Sequence, residues 1–127
     1  MKSKIAPLFL AIAYVNAAFT SPVAAENCVA EAHVGRTWLG HQGNFINVQF
    51  HVYAEGCEQY SCRGYVHYVV HSHNTNGTDW SDRHVVSYTV RQGSRQADIS
   101  EESAGSGAYP IARIDAVDIE EVNCSSP

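Results

Sequence analysis

Residues 62–73, CRGYVHYVVHSH, constrain more than any other stretch what this chain can fold into. Successive side chains of a β-strand point to opposite faces, so an extended segment presents two rows. The first row is apolar, with Val66, Tyr68 and Val70, and the second is mostly polar, with Tyr65, His67, Val69, His71 and His73. A cysteine opens the segment and the turn-forming pair Asn76-Gly77 follows it. The pattern predicts one long strand with a buried face and a histidine-bearing face.

Five further segments have strand character: residues 28–38, 45–53, 84–91, 95–100 and 109–122. The clearest alternation is in 45–53, which places Ile46, Val48, Phe50 and Val52 on one face. In 28–38, Ala30, Ala32, Val34 and Trp38 are expected to share a face. In 109–122 the apolar parity changes, which predicts a β-bulge near Ala116.

Helical periodicity is missing throughout, and turn residues separate the strand-like segments. These features predict an all-β fold, an antiparallel β-sandwich of about seven strands that is immunoglobulin- or fibronectin-like in architecture only. The two cysteines around a core tryptophan that mark true immunoglobulin domains do not occur in this sequence.

Residues 1–25 have the features of a signal peptide. Lys2 and Lys4 precede an apolar stretch, and Val23-Ala24-Ala25 offers the small residues that a signal peptidase reads. The stretch is shorter and more interrupted than the ~20 apolar residues of a membrane span, although an uncleaved anchor is the alternative. We expect cleavage after Ala25, a single domain over residues 26–127, secretion or periplasmic export, and no membrane insertion of the mature chain.

Removal of this leader leaves an acidic domain. Both lysines lie in the leader, so six arginines face thirteen acidic residues, a formal charge of −7 with neutral histidines. The arginines are scattered in sequence: Arg36, Arg63, Arg83, Arg91, Arg95 and Arg113. An acidic surface without a basic cluster repels phosphate backbones, so a nucleic-acid partner is not expected.

The four cysteines predict two disulfides, because an even number in a small exported domain is typical of a disulfide framework. Their spacing favours Cys57–Cys62, which closes a tight loop, and Cys28–Cys124, which ties the two chain ends together. Thiolate metal ligation is the alternative, but the sequence has no C-x-x-C pair.

His71 and His73 form a His-x-His pair whose side chains share one strand face, ~6.6 Å apart. Two imidazoles at this spacing can bind one zinc or copper ion, provided that a neighbouring strand supplies a third donor. A two-residue turn at Asn76-Gly77 would bring Asp82 and His84 to the pair.

A loop with an odd number of residues centred on Gly77 would instead match the apolar rows of the two strands. It would place Arg83 opposite His71 and Ser81 opposite His73. Each buried apolar side chain contributes ~1.5–3 kcal/mol, so the apolar match is the favoured register. The arginine beside the pair would then oppose a cation, and no cofactor is expected.

Exposed aromatic residues are the other candidate site, with Trp80 in a loop and Tyr53, Tyr60 and Tyr65 flanking the Cys57–Cys62 loop. Such side chains often anchor protein or carbohydrate contacts. The sequence shows no nucleophile elbow, and the adjacent carboxylates Glu101-Glu102 and Glu120-Glu121 are expected on opposite strand faces. We therefore expect a non-enzymatic domain that recognises a protein or glycan through its loops. The alternatives are a copper- or zinc-binding domain and a small hydrolase or inhibitor.

Overall fold

A computed structural model describes residues 28–105 and 109–126. These residues form antiparallel strands and no helix, which confirms the all-β class. The strands are β1 Val29–Gly40, β2 Phe45–Glu55, β3 Cys62–Asn74, β4 Asp79–Val90, β5 Gln96–Ala104 and β6 Ile111–Val122. The predicted leader and its cleavage site lie outside the described residues. Within the described ranges, no helix is long and apolar enough to cross a bilayer.

The six strands form two sheets, ordered β1-β2-β5 in the first sheet and β4-β3-β6 in the second. The described residues contain six strands, so the predicted count of about seven is not confirmed. The strands are longer than expected, with 9 to 13 residues each, against a usual length of about 5–6. β4 begins at Asp79, although residues 79–82 were expected in a loop. Within residues 28–105 and 109–126, the longer strands leave no room for a seventh.

One hydrophobic core is shared by both sheets. Its centre is formed by the inner rows of the two middle strands: Ile46, Val48, Phe50 and Val52 of β2, and Val66, Tyr68 and Val70 of β3. The rings of Phe50 and Tyr68 meet edge to face, with centroids 4.8 Å apart. Both predicted apolar rows are therefore buried, and His71 and His73 point to the outer face of the second sheet.

Counted from the last cross-strand pair, His73 with Asp79, the hairpin between β3 and β4 has a loop of five residues, 74–78, of which Asn74 also pairs with β6. Its odd length confirms the favoured match of apolar rows, since Val66 pairs with Val86. The detailed register is wrong by two residues, however, because the loop is centred on Asn76 rather than Gly77. The Asn74 and Gly77 amides close it by donating to the carbonyls of Thr78 and Asn74. Consequently Ser81 faces His71 and Asp79 faces His73, and Arg83 lies opposite Val69.

β1 has a bulge that overturns one predicted face. The pairing with β2 shifts between Val34 and Arg36, so the side chains after Gly35 exchange faces. Leu39, not Trp38, packs against the core. Trp38 turns to the outer face, where the Arg36 guanidinium lies 4.5 Å from the centre of its ring.

β6 contains the predicted bulge near Ala116 and two others. Its apolar residues recur mostly every third position: Ile111, Ile114, Val117, Ile119 and Val122. A regular strand would alternate such residues between faces, but one extra residue in each bulge returns the next apolar side chain to the core. The bulge between Ile114 and Ala116 leaves Asp115 as its extra residue.

Both predicted disulfides are present, Cys28–Cys124 and Cys57–Cys62, with sequence separations of 96 and 5. They lie at the same end of the domain, where the first residues of β1 and β3 and the last residues of β2 and β6 meet. The sulfur atoms of Cys28, Cys62 and Cys124 lie within 4.8 Å of one another. We call this the disulfide end.

An inward-facing carboxylate also contacts the core. Glu101 of β5 pairs with Val48 and so points inward, where the Tyr68 hydroxyl donates a hydrogen bond to its carboxylate. Burial, together with Glu101, raises the pKa of Tyr68, so the phenol stays protonated and keeps its donor role.

We expect Tyr68→Phe to lower the free energy of unfolding by about 1–3 kcal/mol, because the partly buried carboxylate loses its donor. Urea denaturation checks this. The matched control is Tyr65→Phe, whose hydroxyl is exposed on the outer face and should be dispensable. Equal losses in the two variants would contradict a structural role for the Tyr68–Glu101 contact.

The two disulfides should contribute unequally to stability because they close loops of different length. In the chain-entropy model, replacing Cys28 and Cys124 by alanine costs about 4–5 kcal/mol, and replacing Cys57 and Cys62 costs about 2 kcal/mol. Urea denaturation of both double variants tests this order. A larger loss for the Cys57/Cys62 variant would show that the short loop stabilises the fold by packing rather than by chain entropy.

Candidate functional site

The outer face of the second sheet brings histidines and carboxylates together. Both ring nitrogens of His71 are engaged: Nδ1 lies 2.7 Å from the Ser81 hydroxyl and Nε2 lies 2.9 Å from Asp118. Nδ1 of His73 lies 2.6 Å from Asp79. The predicted pair therefore shares a face, but each histidine has its own partners.

Asp115 joins the partners of His73. One potential ligand atom each from His73, Asp79 and Asp115 lies within 4.8 Å of the other two. The second sheet supplies all three, His73 from β3, Asp79 from β4 and Asp115 from the bulge in β6. The Arg113 guanidinium donates to Oδ1 of Asp115 at 2.6 Å.

The other two predicted ligands lie on the opposite face of the sheet. Asp82 pairs with Val70 and His84 pairs with Tyr68, so both share the face of the buried row. His84 stacks on the Tyr68 ring at 5.3 Å, and its Nε2 is buried with no hydrogen-bond partner among the described residues. The structure thus separates the four predicted residues into His71 and His73 outside, and Asp82 and His84 inside.

The sequence reasoning missed Asp79, Asp115 and Asp118 as neighbours of the histidines. The three-residue spacing of apolar residues in β6 was a usable signal, because it requires bulges that turn polar residues such as Asp115 outward. Asp79 had no comparable signal, since its place beside His73 follows from the loop register alone.

The four predicted aromatic residues are all exposed, but they do not form one surface. Tyr53, Tyr60 and Tyr65 belong to the disulfide end, with 41%, 54% and 51% of their surfaces accessible. Trp80 is 37% accessible and lies at the opposite end of the second sheet, beside Ser72. Tyr53 and Tyr65 lie on the outer faces of different sheets, with the Tyr60 loop between them.

Three exposed arginines accompany these tyrosines: Arg63 at the start of β3, and Arg91 and Arg95 in the turn between β4 and β5. None of the three has an ion-pair partner among the described residues. The other arginines are engaged, Arg36 with Trp38, Arg83 with Glu120 and Arg113 with Asp115. We name Tyr53, Tyr60, Tyr65, Arg63, Arg91 and Arg95 the tyrosine–arginine surface. It is scattered in sequence and assembled by the fold.

The backbone beneath this surface is held at several points. The Cys57–Cys62 disulfide closes the loop that carries Tyr60. The Gly93 amide donates to the Cys57 carbonyl at 2.8 Å, and the Ala54 amide donates to the Arg95 carbonyl at 2.9 Å. These contacts join the β2–β3 loop to the β4–β5 turn, so the exposed side chains project from a fixed base.

Two shallow grooves flank the surface. One, of about 450 Å³, is lined by Tyr53 and Arg95 together with Val29, Ala30, Ala54 and two glutamates. The other, of about 530 Å³, is lined by Arg63, Tyr65, Tyr88 and polar residues of β4 and the chain end. Each groove thus combines an exposed tyrosine with an arginine that has no ion-pair partner among the described residues.

The outer face of the first sheet carries a simpler histidine–carboxylate contact. Nδ1 of His51 lies 2.8 Å from Asp98, its partner across the ladder. Hydrogen bonds from His51 and from the Gln96 amide lower the pKa of Asp98. Among the described residues no second carboxylate completes a potential ligand group with His51.

Comparison with protein-family models found no match, and comparisons with curated protein sequences and with solved structures found none either. The two surfaces are therefore interpreted from their own chemistry.

The His51–Asp98 contact predicts a pH dependence. A carboxylate whose pKa is lowered in the folded state stabilises the fold above its unfolded pKa, about 3.9, and loses that contribution as the pH falls through the folded pKa. Asp98→Asn should therefore be less stable than the wild type at pH 6, and the difference should shrink below pH 4. Urea denaturation at both pH values measures it, with the exposed Glu58→Gln as control. A deficit that is the same at pH 6 and pH 3 would contradict the linkage.

Proposed function

We propose that the chain is an exported, non-enzymatic binding domain that recognises a protein partner through the tyrosine–arginine surface. The observation that carries this proposal is the presence, around one disulfide-linked end, of three exposed tyrosines and of three arginines free of ion pairs in the described part of the chain. We interpret the two sheets as a small β-sandwich that serves as the scaffold.

The residue types support a protein partner. Tyrosine and arginine are enriched among the residues that dominate binding energy in protein interfaces, whereas lysine and glutamate are depleted there. A tyrosine offers a large amphipathic contact at a low entropic cost. An arginine that has no partner in the free domain can pair with a carboxylate without first breaking an internal ion pair.

The fixed backbone supports the same conclusion. A side chain on a mobile loop loses conformational entropy when it binds, and rigidity before binding lowers that cost. Here the disulfide and the hydrogen bonds at Cys57 and Ala54 restrict the segments that carry Tyr60, Arg91 and Arg95.

The electrostatic arrangement indicates an acidic partner. The domain carries an excess of negative charge, yet three of its six arginines lie at this end, where Arg95 lines a groove with Glu31 and Glu55. Arginines without ion-pair partners on an otherwise acidic protein favour contact with an acidic partner at that end over contact elsewhere. Two buried or half-buried disulfides are typical of secreted and periplasmic domains, so the partner is expected in that compartment.

Site-specific photo-crosslinking in the producing cells tests the proposal. A benzophenone amino acid replaces Tyr60 in one variant and Tyr109 in another. These two tyrosines are equally accessible, 54% each, but lie at opposite ends of the domain. We expect a discrete crosslinked protein from position 60, identified by mass spectrometry, and none from position 109.

Charge-reversal variants provide the second part of the crosslinking experiment. Arg95→Glu should reduce the crosslink at position 60, whereas Arg83→Glu, with the same change in charge on the outer face of the second sheet, should leave it unchanged. The proposal fails if positions 60 and 109 crosslink alike or if neither reacts. Saturable binding to an acidic glycan on an array, lost in Tyr60→Ala, would replace the protein partner by a carbohydrate.

A further inference from the structure

We infer that His73, Asp79 and Asp115 form a binding site for a divalent transition-metal ion on the outer face of the second sheet. The site is separate from the tyrosine–arginine surface and stands whether or not that surface binds a protein. It also differs from the His-x-His pair suggested by the sequence, because His71 is not a ligand.

The spacing of the donor atoms suits a single ion. Ligands with bonds of about 2.0–2.2 Å in a tetrahedral arrangement lie about 3.3 Å from one another. Here the three donor atoms lie within 4.8 Å of one another, and His73 Nδ1 and Asp79 Oδ1 are already 2.6 Å apart. Rotation of Asp79, whose side chain is 82% accessible, supplies the remaining adjustment.

The bulge in β6 brings the third donor to the site. A regular ladder has no extra residue between the partners of His71 and Ser72. Without the bulge, Asp79 across the hairpin would be the acidic neighbour of His73. The extra residue, Asp115, provides a second carboxylate from the other side of β3. Bulges often redirect side chains next to functional sites in this way.

Arg113 does not block the site. Its guanidinium donates to Oδ1 of Asp115, which leaves Oδ2 of the same carboxylate to bind an ion. A second positively charged neighbour was expected from the sequence, but Arg83 instead pairs with Glu120. The registers of β3 with β4 and β6 thus place more negative than positive charge beside His73.

The donor set selects the class of ion. Imidazole nitrogen suits zinc, copper, nickel and iron, and is a poor ligand for the hard cations calcium and magnesium. One imidazole and two carboxylates leave a position for water or for a group of another molecule. We therefore expect Zn²⁺ and Cu²⁺ to bind and Ca²⁺ to bind much more weakly.

His71 has a different role. Its Nδ1 and Nε2 are both engaged, with Ser81 and Asp118, and it is outside the group of close donor atoms. The proposal therefore predicts different effects for the two histidines, although they share a strand face and have almost the same surroundings.

Calorimetric titration of the mature protein with Zn²⁺, Cu²⁺ and Ca²⁺ tests the site. We expect one saturable Zn²⁺ site per chain, and a loss of affinity of about 10-fold or more in His73→Ala and in Asp115→Asn. His71→Ala should change the affinity by less than about 3-fold. His51→Ala is the matched control, because it removes a histidine with a similar carboxylate contact but no second donor.

The assignment is overturned if Zn²⁺ shows no saturable binding. It is also overturned if His71→Ala weakens binding as much as His73→Ala while Asp115→Asn does not, or if His51→Ala has the same effect as His73→Ala. Thermal melts establish that each variant is folded. Zn²⁺-induced shifts of the imidazole resonances in the wild-type protein provide an independent measurement, with His73 expected to shift and His51 to stay in place.

Discussion

The burial of two apolar rows, one on β2 and one on β3, is the constraint on which the rest of the structure depends. These rows meet through Phe50 and Tyr68 and fix which face of each middle strand points inward. A shift of one residue would expose a whole row, so the neighbouring strands must pair in the register that keeps it buried. β1 and β6 satisfy this requirement with bulges, because their apolar residues do not alternate regularly.

The inward-facing side chains of β2 and β3 could be predicted from the sequence. Which residues pair with each other across neighbouring strands could not. Alternation within one strand is local, so the buried rows of β2 and β3 are visible in the chain itself. The position of Trp38 depends on a bulge at Gly35 that only the pairing with β2 reveals. The neighbours of His71 likewise depend on a loop centred one residue earlier than expected, a difference set by the hydrogen bonds of Asn74 and Gly77.

The same division applies to the candidate sites. That His71 and His73 share a face, and that Tyr60 and Tyr65 are exposed, follows from local pattern and from turn position. Asp115 reaches His73 only through a bulge in β6, and Arg63 lies at the same end as Arg91 only because β3 begins where β4 ends. A site formed by side chains from different strands thus depends on the pairing register of those strands. That register is difficult to predict from one sequence.

The two surfaces lie at opposite ends of β3, and this separation has an electrostatic consequence. Tyr65 and His73 are eight residues apart on one strand, about 26 Å. Arginines without ion pairs in the described residues collect near the first, and Asp79, Asp115 and Asp118 collect near the second. The second sheet therefore carries arginines without ion pairs toward one end and a group of carboxylates toward the other, although the chain as a whole is acidic. The cation proposed at the carboxylate end and the acidic partner proposed at the arginine end would be attracted by the same charge separation, and neither proposal requires the other.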